Sequence, residues 1–579
     1  MPAVLENKVL KPMDRFDRAL WNRWWSLAKP YWFSEKRWQG LSLLAVLIVL
    51  TALFIGINAQ LSFIWRNVNN ALNARDYLSF RRNIIYVGGV FLVFIPLQAF
   101  YPWFSGRLRV LWREWMTHHF IKLQFTDRAY YRIGQSGSVD NPDQRISEDI
   151  ASFSRGALAY VDQFGTALVN GLVFLVILWT ISPVLAPICV AYCVVGTWVS
   201  TKVGRPLIPL NFDQQRYEAD FRFALVRVRD NAESIAMYSG EPREMNHLLG
   251  RFAALFDNYN RLIFRQRRLA YVTQTYDSVV SLLPYLALAG AYFAHRMEFG
   301  QFLQAAGAFG TVKDSFSVVV FSLEGLTDYA AVVNRLATFQ EQCEDASLPR
   351  LKGEHIDTRE SERIAVDALT LRTPDGRQTL VRDLSFDVAP GQGLLLRGPS
   401  GTGKTSILRA LAGLWDNGKG HIERPELTNA LFLPQKPYLM LGTLRDQLCY
   451  PRATGVSDDD LKGALNEVNL ADLPGRSGGL DVEVDWASML SPGEQQRLAF
   501  ARLVINHPRY VFLDEATAAL DRTNQERLYR LLCAMKITFV SVSHSPEIVE
   551  YHDQILELTG DAHWILDGSA KSAVKSWSP

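Results

Sequence analysis

The sequence predicts a multidomain membrane protein: a six-helix α-helical transmembrane domain followed by an α/β domain built on a mostly parallel sheet. Three observations predict it. Apolar runs of membrane-spanning length fall only in the first 340 residues, a polar stretch follows them, and beyond it short β-rich runs alternate with helical ones around a glycine-rich turn.

The length of 579 residues already calls for at least two domains. A formal net charge of only +2 gives no reason to expect a nucleic-acid partner. The cysteines, Cys189, Cys193, Cys343, Cys449 and Cys533, are scattered, odd in number and without metal-ligand spacing, so neither a disulfide framework, a zinc site nor a catalytic thiol is implied. The first residues lack the apolar core of a secretory signal, and insertion is expected to rely on internal segments.

A spanning helix needs about 20 mostly apolar residues. Residues 39–64 and 84–104 satisfy this without a charge, which argues against buried helices of a soluble protein. The third and fourth segments, 164–182 and 184–203, are separated at Ser182-Pro183, where proline disfavours one continuous helix. The fifth lies at 278–295; the sixth, 301–326, carries Lys313, Asp314 and Glu324. Basic residues in the 105–158 and 204–277 loops place both on the cytoplasmic side, although Arg66, Arg75, Arg81 and Arg82 flank a loop then expected outside. Residues 1–38 form an expected interfacial segment, with Phe16, Leu20, Trp24 and Leu27 at helical spacing, suited equally to the membrane interface or to packing on the chain's own helices. The long loops are helical in composition and contain polar turns at Asn141–Ile146, Asn231–Ala236 and Gly240-Glu241.

The membrane domain, 39–340, ends in a polar linker at 341–361, and the α/β domain occupies 362–579. Its strongest signal is Gly398-Pro399-Ser400-Gly401-Thr402-Gly403-Lys404-Thr405, after the strand-like Leu394–Leu396 and before the helix-like Ser406–Leu411. Glycines let backbone N–H groups close around a phosphate, and the helix N-terminus favours the anion. Lys404 is expected on the β- and γ-phosphates, with Ser406 in the same cradle and the Thr405 hydroxyl on magnesium. Tyr510–Leu513 reads as a strand buried on both faces that delivers Asp514 to magnesium and Glu515, as general base, to the attacking water.

Leu490-Ser491-Pro492-Gly493-Glu494-Gln495 resembles the signature of ABC proteins, with Pro492 and Glu494 replacing the usual Gly and Gln. Gln435 resembles the Q-loop glutamine, Ala518-Ala519-Leu520-Asp521 the D-loop, and His544 the switch histidine. The resemblance implies an α/β phosphate-loop ATPase fused to an exporter-type membrane domain, with ATP and Mg2+ as cofactors. It further implies Glu515, His544 and Gln435 as catalytic, Gln435 as a magnesium ligand with Thr405 and Asp514, and a homodimer in which Ser491, Gly493 and Glu494 of one copy meet ATP on the other. Two departures stand out: the altered signature, and no aromatic in Leu371–Gly376 to stack on adenine. Asn141–Arg145, Asn231–Ala236, Thr373-Pro374, Gly413-Leu414-Trp415 and Asp485-Trp486 resemble two related groups. These are the bacterial BacA/SbmA-like proteins, associated with uptake of vitamin B12 and antimicrobial peptides, and the fatty-acyl transporters of ABC subfamily D. The first group implies a bacterial inner membrane, with the ATPase in the cytoplasm. Export of lipids, fatty-acyl compounds or drugs, a soluble-type ABC ATPase and an ATP-gated channel are the alternative readings.

Overall fold

The computed structural model describes residues 18–136, 141–347, 355–374, 376–415 and 417–568. Phe16, residues 348–354 of the expected 341–361 linker, Asp375 and the side chain of Glu324 lie outside them; the start of that linker belongs instead to the helix that ends at Ser347 and its end to the strand Ile356–Glu360. The chain divides into two compact units, Met1–Pro349 and Arg350–Pro579.

Among the described residues, every regular element of the first unit is helical. The helices Arg37–Asn73, Tyr77–Phe125, Ile150–Ile181, Leu185–Gly204, Glu241–Phe293 and Phe299–Ser347 each carry one of the expected segments, to within two residues. The Asp76 side chain accepts the Leu78 and Ser79 N–H groups and so starts the second after a loop of only three residues, 74–76; Arg66, Arg81 and Arg82 therefore sit on helices. Ser182 adopts an extended conformation before Pro183, which separates the third helix from the fourth. Four continuous stretches, Arg37–Asn73, Tyr77–Gln135, Pro142–Ile181 and Leu185–Asp230, are long and apolar enough to cross a membrane. The last two long helices are less apolar: Asp277 bounds the run in one, and Lys313-Asp314 interrupts the other. These charges meet. Lys313 Nζ lies 2.8 Å from Asp277 Oδ1 and 2.6 Å from Asp314 Oδ1, so the Lys313 cation is paired.

The Phe299–Ser347 helix is the hub, packing against the Arg37–Asn73, Ile150–Ile181, Leu185–Gly204 and Glu241–Phe293 helices. Close crossings require small residues: a Cβ on Gly300 would come 2.1 Å from the Arg66 carbonyl oxygen, and one on Gly156 would meet the Tyr329 ring. The Arg18–Trp32 helix also packs on the hub, where Trp24 Nε1 donates to Tyr329 Oη at 2.9 Å; it buries Leu20, Leu27, Ala28 and Tyr31 and leaves Trp21 and Trp25 exposed.

The Asn141 turn, left-handed at φ 48°, leads into a π-helical turn, Arg145–Asp149. There the buried Asp149 carboxylate accepts Arg145 Nη1 at 3.0 Å and both Arg335 Nε and Nη2, at 2.9 and 2.6 Å. This bidentate clamp fixes the turn to the hub helix. The Leu207–Asp230 helix and the first half of Glu241–Phe293 form a separate arm, closed by the short Ala232–Met237 helix. Buried Asn258 ties it by donating to the Leu210 carbonyl and Gln214 Oε1, each at 3.0 Å.

The second unit holds two sheets. Strands β1 (Ile356–Glu360), β2 (Ile364–Arg372), β3 (Thr379–Val388) and β5 (Gly418–Arg424) form one, in the order β1-β5-β2-β3. Strands β4 (Gly393–Arg397), β6 (Ala430–Leu433), β7 (Tyr510–Asp514), β8 (Thr538–Val542), β9 (Gln554–Leu558) and β10 (Trp564–Asp567) form the other, ordered β10-β9-β4-β8-β7-β6 and parallel except for β10. Leu395 faces one apolar core, Leu394 and Leu396 the other, so β4 is apolar at consecutive positions because both faces are covered. The parallel strands aim their C-terminal ends at one edge, where ligands of such sheets bind.

Replacing Asp149 by Ala removes the carboxylate that Arg145 and Arg335 share and should cost about 1.5–3 kcal/mol per charged hydrogen bond lost. The expected outcome is a clearly lowered thermal unfolding midpoint in detergent, with Asp149→Asn intermediate.

Candidate active site

Three backbone conformations shape the loop after β4. Gly398, Gly401 and Gly403 have φ of 138°, 84° and 100°, and a Cβ on Gly398 would lie 2.4 Å from the Leu558 carbonyl oxygen. Gly403 caps the Lys404–Leu411 helix, so N–H groups at the helix start face the loop. Lys404 Nζ donates to the Gly398 and Pro399 carbonyl oxygens, both at 2.7 Å, and Thr402 Oγ1 to Pro399 O at 3.0 Å. Burial lowers the Lys404 pKa, opposed by the Glu515 and Asp514 carboxylates. Ser406 is buried one turn into the helix.

At the end of β7, Asp514 Oδ1 accepts the Thr405 hydroxyl at 3.0 Å. Desolvation raises the Asp514 pKa, the Thr405 bond working against it. A half-buried carboxylate beside a hydroxyl, with the Gln435 side chain nearby, is a hard-oxygen donor set suited to Mg2+. Glu515 follows with φ 49°, its N–H donating to Val542 O at 3.0 Å. Gln435 Nε2 donates to Glu515 Oε2 at 2.9 Å, and His544 Nε2 lies 3.7 Å from Glu515 Oε1. Residues 80 positions apart in sequence thus converge on one carboxylate.

Ser491, Gly493 and Glu494 sit elsewhere, at the start of the Pro492–Asn506 helix, where Ser491 and Glu494 cap each other reciprocally. Among the described residues no hydrogen bond or ion pair joins them to the 398–405 loop. Leu371–Pro374 and Gly376 supply no aromatic beside the loop. Trp415 Nε1 donates to Arg372 O, just before Thr373-Pro374, at 3.0 Å, and Trp486 Nε1 to Gly442 O at 2.8 Å.

Two family models match the chain, ABC transporter transmembrane region 2 over residues 27–293 and ABC transporter over 381–518. An uncharacterised ABC transporter ATP-binding protein of Synechocystis sp. is 44% identical, the match covering 92% of this chain and 82% of the relative. The chain belongs to the ABC transporter family. It is a half-transporter, with one membrane and one ATPase region fused, and it couples ATP hydrolysis to transport. ABC transporter D family member 2, chloroplastic, of Arabidopsis thaliana is 35% identical over 95% of this chain and 88% of its own length. Lysosomal cobalamin transporter ABCD4 of Mus musculus is 30% identical over 95% and 97%. A bacterial Atm1-family ABC exporter solved with ATP bound has the same fold, with a TM-score of 0.73 at 18% identity over 92% of this chain and 96% of that one.

Sequence reasoning passed over two residues of this ABC domain. Buried Gln496 donates to Gln435 O at 3.1 Å and Glu515 O at 3.4 Å and accepts the Ala519 N–H at 3.0 Å, tying three motif segments together. Arg476 pairs with Glu494 and, through that hydrogen bond first of all, holds the carboxyl pKa at about 2. The available signal for Gln496 is a polar residue on the buried face of a helix; Arg476 carries none.

Gln496→Ala should loosen all three segments. Its turnover should fall about tenfold, the worth of one or two hydrogen bonds, with nucleotide affinity within about twofold of the parent, measured by steady-state ATPase and equilibrium binding.

Proposed function

We propose that two copies of this chain form a homodimer in the bacterial inner membrane that takes up a hydrophilic or amphipathic solute, such as cobalamin or an antimicrobial peptide. The convergence of Gln435 and His544 on Glu515, beside the Thr405–Asp514 pair, carries the chemical part of the reading. N–H groups of the Gly398–Ser406 loop and Lys404 would hold the nucleotide phosphates. Thr405, Asp514 and Gln435 would hold Mg2+, which when bound neutralises phosphate charge and orients it. Glu515 would take a proton from the attacking water, with Gln435 and His544 fixing its orientation.

Dimerisation is supported from two sides. Each chain has one phosphate loop and one signature, and the arm at 207–270 exposes Phe212, Phe223, Phe252 and Phe256. A twofold axis would supply both missing complements at once. The solute class is supported by the name of the mouse relative and by the resemblance to BacA/SbmA-like proteins.

In proteoliposomes, cobalamin or a cationic peptide should raise ATP turnover, and inverted vesicles preloaded with it should lose it when given ATP. ATP-driven accumulation in those vesicles would instead establish export. Glu515→Gln should retain nucleotide and lose about 10²- to 10⁴-fold of the hydrolysis rate, the usual share of a general base. Chelation of Mg2+ should stop turnover in the parent. Unaltered turnover by a protein that remains monomeric would remove the homodimer.

A further inference from the structure

A serine hydroxyl has one proton to donate. Ser491 Oγ donates its proton to Glu494 Oε2, at 2.9 Å, and the same carboxylate oxygen accepts the Ser491 N–H at 2.9 Å. Glu494 Oε1 is taken by Arg476 Nη1, which also reaches Asp472 at 3.4 Å. The Glu494 side chain is only 15% exposed, so its charge is poorly screened by solvent. Arg476 is held in turn. Its short helix, Leu473–Ser477, is anchored by the buried Leu473 and by Ser477 Oγ donating to the Leu473 carbonyl at 3.0 Å.

This arrangement poses a conflict for a signature that must meet phosphate. A carboxylate stands where an anion would arrive, and it occupies the one proton the serine could offer. Arg476 resolves both parts. Pairing offsets the charge of Glu494 and weakens its demand for further donors, while the Ser491 N–H alone can still satisfy Oε2 and keep the helix start capped. We propose that Arg476 is a positioning residue for nucleotide shared between two copies: by pairing with Glu494 it lets Ser491 turn its hydroxyl from that carboxylate to the terminal phosphate bound by the partner. The proposal rests on the homodimer reading above.

The test is a double-mutant cycle on the full-length protein in proteoliposomes, reading ATP turnover against ATP concentration. Arg476→Ala should raise the half-saturating ATP concentration about tenfold and leave maximal turnover within about twofold, since the defect lies in engaging ATP rather than in the chemistry. Arg476→Lys should restore most of the loss. In a Glu494→Gln background, where no charge needs offsetting, Arg476→Ala should change little. An equal effect of Arg476→Ala in both backgrounds would make Arg476 merely structural and overturn the proposal, as would an unchanged half-saturating concentration in the single variant. Ser491→Ala separates the two levels. If it leaves ATP dependence untouched, the shared-nucleotide reading fails and takes the proposal with it; if it raises the half-saturating concentration while Arg476→Ala does not, only the role of Arg476 falls.

Discussion

Concentrated negative charge is the constraint on the ATPase unit. Asp514 and Glu515 leave β7 next to each other, and the loop they face is shaped for polyanions. Acids and phosphates tolerate this proximity only if donors and cations are already in place. The loop supplies backbone N–H groups at a helix start and the buried Lys404, whose ammonium is parked on two carbonyl oxygens. The raised pKa of Asp514 records the cost of desolvating a carboxylate that accepts the Thr405 hydroxyl. Glu515, held in a left-handed backbone conformation, is steered away from its neighbour toward Gln435 and His544. Two adjacent carboxylates thereby acquire different surroundings, as separate tasks require.

The membrane unit solves a related difficulty by pairing. Its hub helix carries Lys313 and Arg335, and each finds a carboxylate on another helix: Asp277 for the lysine, Asp149 for the arginine. In apolar surroundings an unpaired charge is expensive and a paired one specifies register, so these contacts fix how the hub slides against its neighbours. The glycines at the crossings act in the same direction by letting backbones approach until only one alignment fits.

What was legible in the sequence follows from how local each signal is. The strand, loop and helix around Gly398–Thr405 are contiguous, and so is the buried strand that ends in Asp514, so composition alone places them. Family order then pointed to Gln435 and His544, which no local pattern marks. The first three spans were plain because they lack charges, and the fourth carries only Lys202 near its end; the sixth was less plain because Lys313-Asp314 interrupts it, and the pairing of Lys313 with Asp277, 36 residues earlier, is invisible until two helices are folded together. Gln496 and Arg476 failed to register for the same reason. The Ser491–Glu494 capping box could be seen as a four-residue pattern, but the arginine that balances it comes from a separate helix.

In the proposed homodimer the altered signature would bear on how tightly two copies close on nucleotide. A glutamine at position 494 would be neutral and could cap Ser491 without attracting a cation, whereas Glu494 accepts more strongly and must be offset. Its gain is a firmer helix start before phosphate arrives: both the backbone N–H and the hydroxyl of Ser491 are held. The cost falls on engagement, because that hydroxyl must be released before it can be offered elsewhere. In the proposed homodimer such a site would favour a defined open state and make closure depend on a competing acceptor within reach, which the terminal phosphate of a triphosphate would be and the diphosphate product, one phosphoryl group shorter, would not. Discrimination between the nucleotide before and after cleavage would then reside partly in the competition between Glu494 and phosphate for a single proton.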